Sequence, residues 1–251
     1  MTVNAFIQAR MSSSRLPGKV LKSLAGKPVL KHVIDRVSQA DFVDKVVVVT
    51  STDVSDDAIE AFCREIDCAY FRGELEDVLA RFNAALSDFP CDHILRVTAD
   101  CPLIDPHILD VVLIGHLAGQ YDYYGLGGEF PDGMDCTVIS RKALELATQH
   151  AILASDREHV GPFIERNEDD WFKTGALHIF HGLQDIRLTL DEPQDFRLLS
   201  HLFEAAADGH LQLNPHEILD YLEKKPDILA INDGIERNEG YIVSLENNEV
   251  K

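Results

Sequence analysis

Positive charge is scarce in this chain: 23 Lys and Arg stand against 43 Asp and Glu over 251 residues, a formal net charge of −20. That balance argues against nucleic acid or an anionic membrane as a general partner. Cysteine is sparse too. The five present (Cys63, Cys68, Cys91, Cys101, Cys136) are odd in number and include no CxxC pair. Neither a disulfide framework nor a structural zinc site is expected, and they read as buried reduced thiols. No uncharged apolar run is long enough to span a bilayer, and no basic N-terminal stretch is followed by a long apolar one; the expectation is a cytoplasmic protein. Two phosphate-binding fingerprints are also missing. GxGxxG does not occur, and Gly18-Lys19 fails the GxxxxGK[ST] pattern, with Ser13 at the first glycine position and Val20 after the lysine.

What is present is an ordinary soluble composition, 45% hydrophobic and 26% charged, in a length that fits one domain over 1–251. Apolar runs with strand character, "NAFIQA" (4–9), "KVVVVTS" (45–51), "AYFR" (69–72) and "HILRVTA" (93–99), alternate with helix-period segments at 28–39, 56–67 and 76–88. This is the rhythm of a doubly wound α/β sheet. The unbroken Val46–Val49 run suits a parallel strand covered on both faces. Further strands are expected at 135–140, 174–180 and 186–190 ("IRLTL"). Residues 119–135, rich in Gly, Tyr and Asp, read as an extended loop or edge segment that forms a substrate lip. After Glu192 two surface helices close the fold, and the last dozen residues are expected to fray.

The scarce positive charge is concentrated at the start. Residues 1–34 carry Arg10, Arg15, Lys19, Lys22, Lys27 and Lys31 and no acid. "QARMSSSRLPGK" (8–19) directly follows the first strand, and in open α/β sheets ligands bind at the carboxyl ends of strands. Arginines grip phosphate oxygens through paired N–H bonds and lysine adds a mobile point charge. A solvated basic loop is the bland reading of any one of these residues. Arg10, Arg15 and Lys19 within ten residues, with three serines and no local acid, favour a triphosphate.

"IQARMSSSRLPGKVL" resembles the N-terminal signature of the sugar cytidylyltransferases, the family of CMP-ketodeoxyoctulosonate and CMP-acylneuraminate synthetases, most closely the branch called spore coat polysaccharide biosynthesis protein F. The resemblance continues in "FRGELEDVLARF" (71–82), "ILRVTADCPLIDP" (94–106), "DREHVGPFI" (156–164) and "RLTLDEPQDF" (187–196), and covers roughly residues 3–205. It implies a three-layer, Rossmann-like α/β fold with a mixed, mostly parallel sheet of the nucleotide-diphospho-sugar transferase type. The implied reaction is Mg²⁺-dependent transfer of CMP from CTP to a sugar acid with release of pyrophosphate, for surface polysaccharide or glycan synthesis. The implied assembly is a homodimer, with 119–180 as an acceptor-binding or dimerisation subregion.

The resemblance assigns residues as follows. Arg10, Ser13, Ser14, Arg15 and Lys19 hold the nucleotide phosphates, Arg72 and Gly73 the base, and Asp100 and Asp191 the metal, with Arg10, Lys19, Asp100 and Asp191 counted as catalytic. Asp132 and Asp135 of "PDGMD", with Arg157 and His159, hold the acceptor and its carboxylate. Mg²⁺ suits such a pair because it binds through one or two carboxylates plus phosphate oxygens. Bland readings stand beside several of these: Asp191 before Glu-Pro as a helix N-cap, Asp100 as a turn residue, Arg72 as a rim charge, and Asp77 with Arg81 as an intrahelical ion pair. Asp105-Pro106 reads as the cap of the next helix. No residue stands out as general base; metal coordination of the hydroxyl, or Asp191 through a water, are the alternatives. A GT-A-type glycosyltransferase consuming a nucleotide-sugar, and a non-catalytic nucleotide-binding protein, are the competing readings.

Overall fold

A computed structural model describes residues 1–246. Its centre is a seven-stranded sheet. Four strands run parallel: β1 (Val3–Gln8), β4 (Lys45–Ser51), β5 (Ala69–Gly73) and β6 (His93–Thr98). A small hairpin, β2 (Ser23–Leu24) and β3 (Lys27–Pro28), lies apart from it. β7 (Tyr123–Leu126), β8 (Thr137–Ser140) and β9 (Thr174–Leu177) extend the sheet to the order β5-β4-β1-β6-β8-β7-β9. β8 is antiparallel to both β6 and β7, which makes the sheet mixed. The fold class expected from sequence is the one found.

The strands alternate their side chains between two cores, as a period of two requires. Ala5, Ile7, Val48, Leu95 and Val97 face a layer formed by α1 (Val29–Val37), α4 (Pro106–Gly119) and α8 (Pro193–Ala207). Phe6, Val47, Val49 and Ile94 face α3 (Val78–Asp88) and α5 (Arg141–His150). Val47, Val48 and Val49 are fully buried, so the valine run has the two-sided cover its composition called for. Each such side chain removed from water contributes about 1.5–3 kcal/mol. α2 (Asp57–Glu65) packs beside β4 and β5; α6 (Ala154–His159), α7 (Pro162–Arg166), α9 (Pro215–Glu223), α10 (Pro226–Leu229) and α11 (Glu239–Glu246) complete the chain. No described helix is long and apolar enough to cross a membrane.

Three local expectations are corrected. "IRLTL" is not a strand: Leu188 and Leu190 are buried, but the backbone makes only an isolated parallel bridge between Arg187 and Asp132, and Leu190 N–H donates to the Asp100 carbonyl at 2.8 Å. Within 119–135, residues 123–126 are a strand of the sheet. Tyrosines of this segment lie where glycines leave room: a Cβ on Gly115 would come within 2.7 Å of the ring of Tyr124, in the strand, and one on Gly175 within 2.7 Å of Tyr121, just before it. Of the expected frayed tail, residues 240–246 belong to a helix that starts at Glu239, and the remainder lies outside the described residues.

Two side-chain readings change as well. Asp77 caps α3 by accepting from Ala80 N–H at 2.9 Å and pairs with Arg157, not with Arg81, whose guanidinium donates to the Glu74 carbonyl. The cap of α8 is Glu192, in a reciprocal capping box with Asp195, so Asp191 is free of that duty. Asp105 caps α4 as expected, accepting from His107 and Ile108 N–H.

Candidate active site

The basic loop leaves β1 and is pinned from below. Met11 N–H donates to the fully buried Asp56 at 2.7 Å, and the same carboxylate accepts from Thr50 and Ser51 at the end of β4. Gly18, at φ 69°, turns the chain so that its N–H reaches the Met11 carbonyl at 3.1 Å and Lys19 starts a short 3-10 helix. A side chain there would be strained by that φ and would press on the Met11 methyl at 3.3 Å. Lys19 is thereby aimed inward and is 7% exposed.

Lys19 joins two carboxylates that the sequence separates by ninety-odd residues. Its Nζ lies 2.6 Å from Asp100 at the end of β6 and 2.7 Å from Asp191 before α8. Burial works against each of these charges. The mutual attraction overrides it, keeping the Lys19 ammonium above its ordinary value and Asp100 down at about 2. Asp191 also takes Arg15 at 3.2 Å and the buried Arg187 at 3.0 Å, and Arg187 is itself fixed by Asp132 (2.8 Å) and Asp195 (3.0 Å). Arg187, Asp195 and Asp56 have no local sequence signature; the "RLTLDEPQDF" motif contains two of them but gives no sign of their partners.

Two cavities open on either side of this group. One, of about 420 Å³, is lined by Arg10, Ser12, Ser13, Ser14 and Lys19 among others. The other, of about 720 Å³, is lined by Arg96, Tyr123, Asp132, Asp135 and His159 among others. Arg15, Thr98, Asp100, Asp191, Glu239 and Gly240 line both. The carboxylate pair thus stands at the junction.

Of the remaining residues singled out in the sequence, Ser13 accepts from Leu16 N–H, shaping the loop, and Arg10 lies 3.9 Å from Glu158 at the cavity mouth. Asp132 and Asp135 sit together on the larger cavity. Burial raises both carboxyls; at Asp132 the Asp135 charge adds to it and the carboxyl stands at about 6 against the pull of Arg187 and Arg237, while at Asp135 the Gly133 N–H and Arg237 oppose the rise and Asp100 adds to it. His159 lines the same cavity, 5.0 Å from the Tyr241 ring, with its imidazole pushed down by burial. Arg72, Gly73 and Arg157 line neither cavity. Arg72 is held by Asp57 and Glu60 on α2, Gly73 is wedged beneath the Arg81 side chain, and Arg157 is bound by Asp77 and the Ala151 carbonyl.

Carboxylate oxygens from two elements, converging on one cationic group, are donors that could hold a hard divalent cation completed by phosphate oxygens and water. Among the described residues no cluster of three or more His, Cys, Asp or Glu suits a metal, so substrate would supply the remaining ligands.

The class this fold and junction define is that of the nucleotidyltransferases. A cytidylyltransferase family model matches residues 5–224. Spore coat polysaccharide biosynthesis protein SpsF of Bacillus subtilis (strain 168) is 33% identical over 230 residues, covering 88% of this chain and 94% of that protein. The 8-amino-3,8-dideoxy-manno-octulosonate cytidylyltransferase of Shewanella frigidimarina (strain NCIMB 400) is 29% identical over 174 residues, 66% of each chain. Among solved structures, a cytidylyltransferase from Leptospira borgpetersenii serovar Hardjo-bovis (strain JB197) superposes with a TM-score of 0.85 at 29% identity, covering 94% of this chain and all of that one. The chain belongs to the cytidylyltransferase family.

Proposed function

We propose that the enzyme transfers CMP from CTP to a hydroxyl of a sugar acid, with Mg²⁺ and with release of pyrophosphate, in the synthesis of a surface polysaccharide or glycan. The observation that carries this reading is the position of Asp100 and Asp191 between a basic, serine-lined cavity and a larger polar one. The names of the relatives, a polysaccharide biosynthesis protein and an octulosonate cytidylyltransferase, supply the acceptor class.

CTP enters the smaller cavity, where Lys19, Arg15 and Arg10 exchange their carboxylate partners for phosphate oxygens. The acceptor fills the larger one. Its hydroxyl oxygen gives up its proton to a water at Asp191 and bonds to the α-phosphorus as the bond from that phosphorus to the bridging oxygen breaks, and the electron pair leaves on pyrophosphate. Mg²⁺ held by Asp100 and Asp191 would cancel charge on the α-phosphate and the leaving group. Arg187 keeps Asp191 facing the junction throughout, because it is anchored on Asp132 and Asp195. Lys19, tethered by Gly18, stays at the same point.

Thermal melts with each of four nucleoside triphosphates and Mg²⁺ test the donor. A ligand at about 100 times its Kd adds about 2.7 kcal/mol of stability, several degrees for a chain of this size, and CTP should give the largest shift; equal shifts for all four contradict the cytidylyl assignment. Pyrophosphate release with 3-deoxy-manno-octulosonate, its 8-amino-8-deoxy analogue and N-acetylneuraminate tests the acceptor. A CTP shift with no release from any sugar acid would reject that class.

A further inference from the structure

Three arginines line the larger cavity. Arg15 is engaged by Asp191, Glu192 and Glu239, and Arg187 by Asp132, Asp191 and Asp195. Arg96 has no carboxylate within ion-pair distance among the described residues. Its one hydrogen bond is from Nη2 to the Gln8 side-chain carbonyl at 3.0 Å, and its Nε is buried without a partner. A half-buried guanidinium in a chain this acidic is ordinarily paired, since an unsatisfied buried donor costs free energy.

The neighbours of Arg96 do not supply that partner. Glu165, on the same cavity, accepts a hydrogen bond from the Tyr123 hydroxyl and makes no ion pair with Arg96, and His159 offers no carboxylate. Arg96 and Thr98 of β6 share one face, and both line this cavity with Asp100 two residues on; Gln8, opposite Thr98 and bonded to Arg96, lines the other. An anion at Arg96 therefore lies along the same strand edge as the Asp100 carboxylate, with Gln8 bracing the guanidinium from the nucleotide side. Of the two residues the sequence suggested for this duty, Arg157 and His159, Arg157 is spent on Asp77 and two backbone carbonyls.

We infer that Arg96 holds the carboxylate of the acceptor and sets the enzyme's preference for an acid over its uncharged analogues. This rests on the sugar-acid reading above. A planar guanidinium with free N–H groups matches a carboxylate in paired hydrogen bonds, and a charge-assisted contact of that kind is worth about 10- to 100-fold in affinity.

The test compares 3-deoxy-manno-octulosonate with its carboxamide, by calorimetry in the presence of a non-hydrolysable CTP analogue and by acceptor KM, on the wild type, Arg96→Gln and Arg96→Lys. The wild type should prefer the acid by about 10- to 100-fold. Arg96→Gln should lose that preference, with acceptor KM raised and CTP KM unchanged, and Arg96→Lys should keep part of it. Thermal melts of the same samples check folding, and the lysine variant keeps the test readable if glutamine disturbs the strand. A glutamine variant that still prefers the acid overturns the role of Arg96 and leaves the sugar-acid reading standing. A wild type indifferent to the carboxylate overturns both.

Discussion

Asp191 is gripped by three cations: Oδ1 by Lys19 and Arg15, Oδ2 by Arg187. Asp191→Asn should therefore lower turnover at saturating CTP and Mg²⁺ by about 100-fold or more, as loss of a preorganised electrostatic group does. The melting temperature should fall as well, because the buried Lys19 and Arg187 each lose a partner charge, although the cap of α8 by Glu192 and Asp195 stays intact. A fully active variant would remove Asp191 from the metal site. Asp132 gives a pH signature. Burial, and then Asp135, hold its carboxyl near 6 in the folded state, against about 3.9 when unfolded. The folded state binds the extra proton between those values, so this group favours folding at low pH and its contribution is lost as pH rises through about 4 to 6. Relative to Asp132→Asn, the wild type should lose up to about 3 kcal/mol between pH 4 and pH 7, measured by denaturant unfolding of both proteins. A constant difference across that range contradicts the raised pKa. At this scale Lys19 was legible from a loop of telling composition and Asp100 from the strand that ends just before it, whereas Asp191 was reached through the family resemblance, since the strand it was expected to end is not one. Asp56, Arg96 and Arg187 were not legible. Their importance lies in partners, or in the lack of one, across segments far apart in sequence.

Helix α11 lies beyond the part of the chain that the family model matches, yet it closes over the junction of the two cavities. It buries none of its residues and is held by polar contacts: Glu239 to Arg15 at 2.5 Å, Ser244 Oγ to Glu158 at 2.6 Å, and the Tyr241 ring against His159. Glu239 occupies guanidinium hydrogens that a phosphate would use. Glu239→Gln should then tighten CTP binding by about two- to fivefold, the worth of a partly exposed ion pair, with little change in melting temperature. Unchanged or weaker binding in a calorimetric titration would show that Glu239 does not compete with phosphate. Periodicity located β1, β4, β5, β6 and the helices between them to within a few residues, because two buried faces leave an unmistakable pattern. It failed at β7, where tyrosines packed over glycines imitate loop composition, and at "IRLTL", where two buried leucines imitate a strand although the backbone pairs elsewhere. It failed again at α11, whose anchoring is polar and leaves no apolar stripe to read.

Over the whole molecule, the net charge of −20 sets the terms on which a triphosphate arrives. The basic loop reads locally as free positive charge, but folding brings acids to it. Arg10 meets Glu158, Arg15 meets Asp191, Glu192 and Glu239, and Lys19 meets Asp100 and Asp191. Three cations thus face five carboxylates, and the site alone is not an anion trap. That neutralisation could not be read from residues 1–34, since all five acids lie beyond residue 99. CTP should consequently bind weakly without a divalent cation. The Debye length is about 30 Å at 0.01 M salt and about 10 Å at 0.1 M, against a radius of gyration of about 18 Å for a compact chain of this length. At the lower salt the incoming nucleotide feels the repulsion of the entire surface, and at the higher one chiefly the site. With chelator present, CTP affinity should therefore rise between 10 and 100 mM NaCl, the reverse of an ordinary basic phosphate site. Mg²⁺ added at constant ionic strength should tighten it by at least about tenfold, because the ion lets the carboxylates hold the phosphates instead of repelling them. Calorimetric titrations over that salt series, with and without Mg²⁺, decide the matter: tight binding in chelator that weakens as salt is added would mean that the loop charges act alone and the carboxylates are not there to hold a metal.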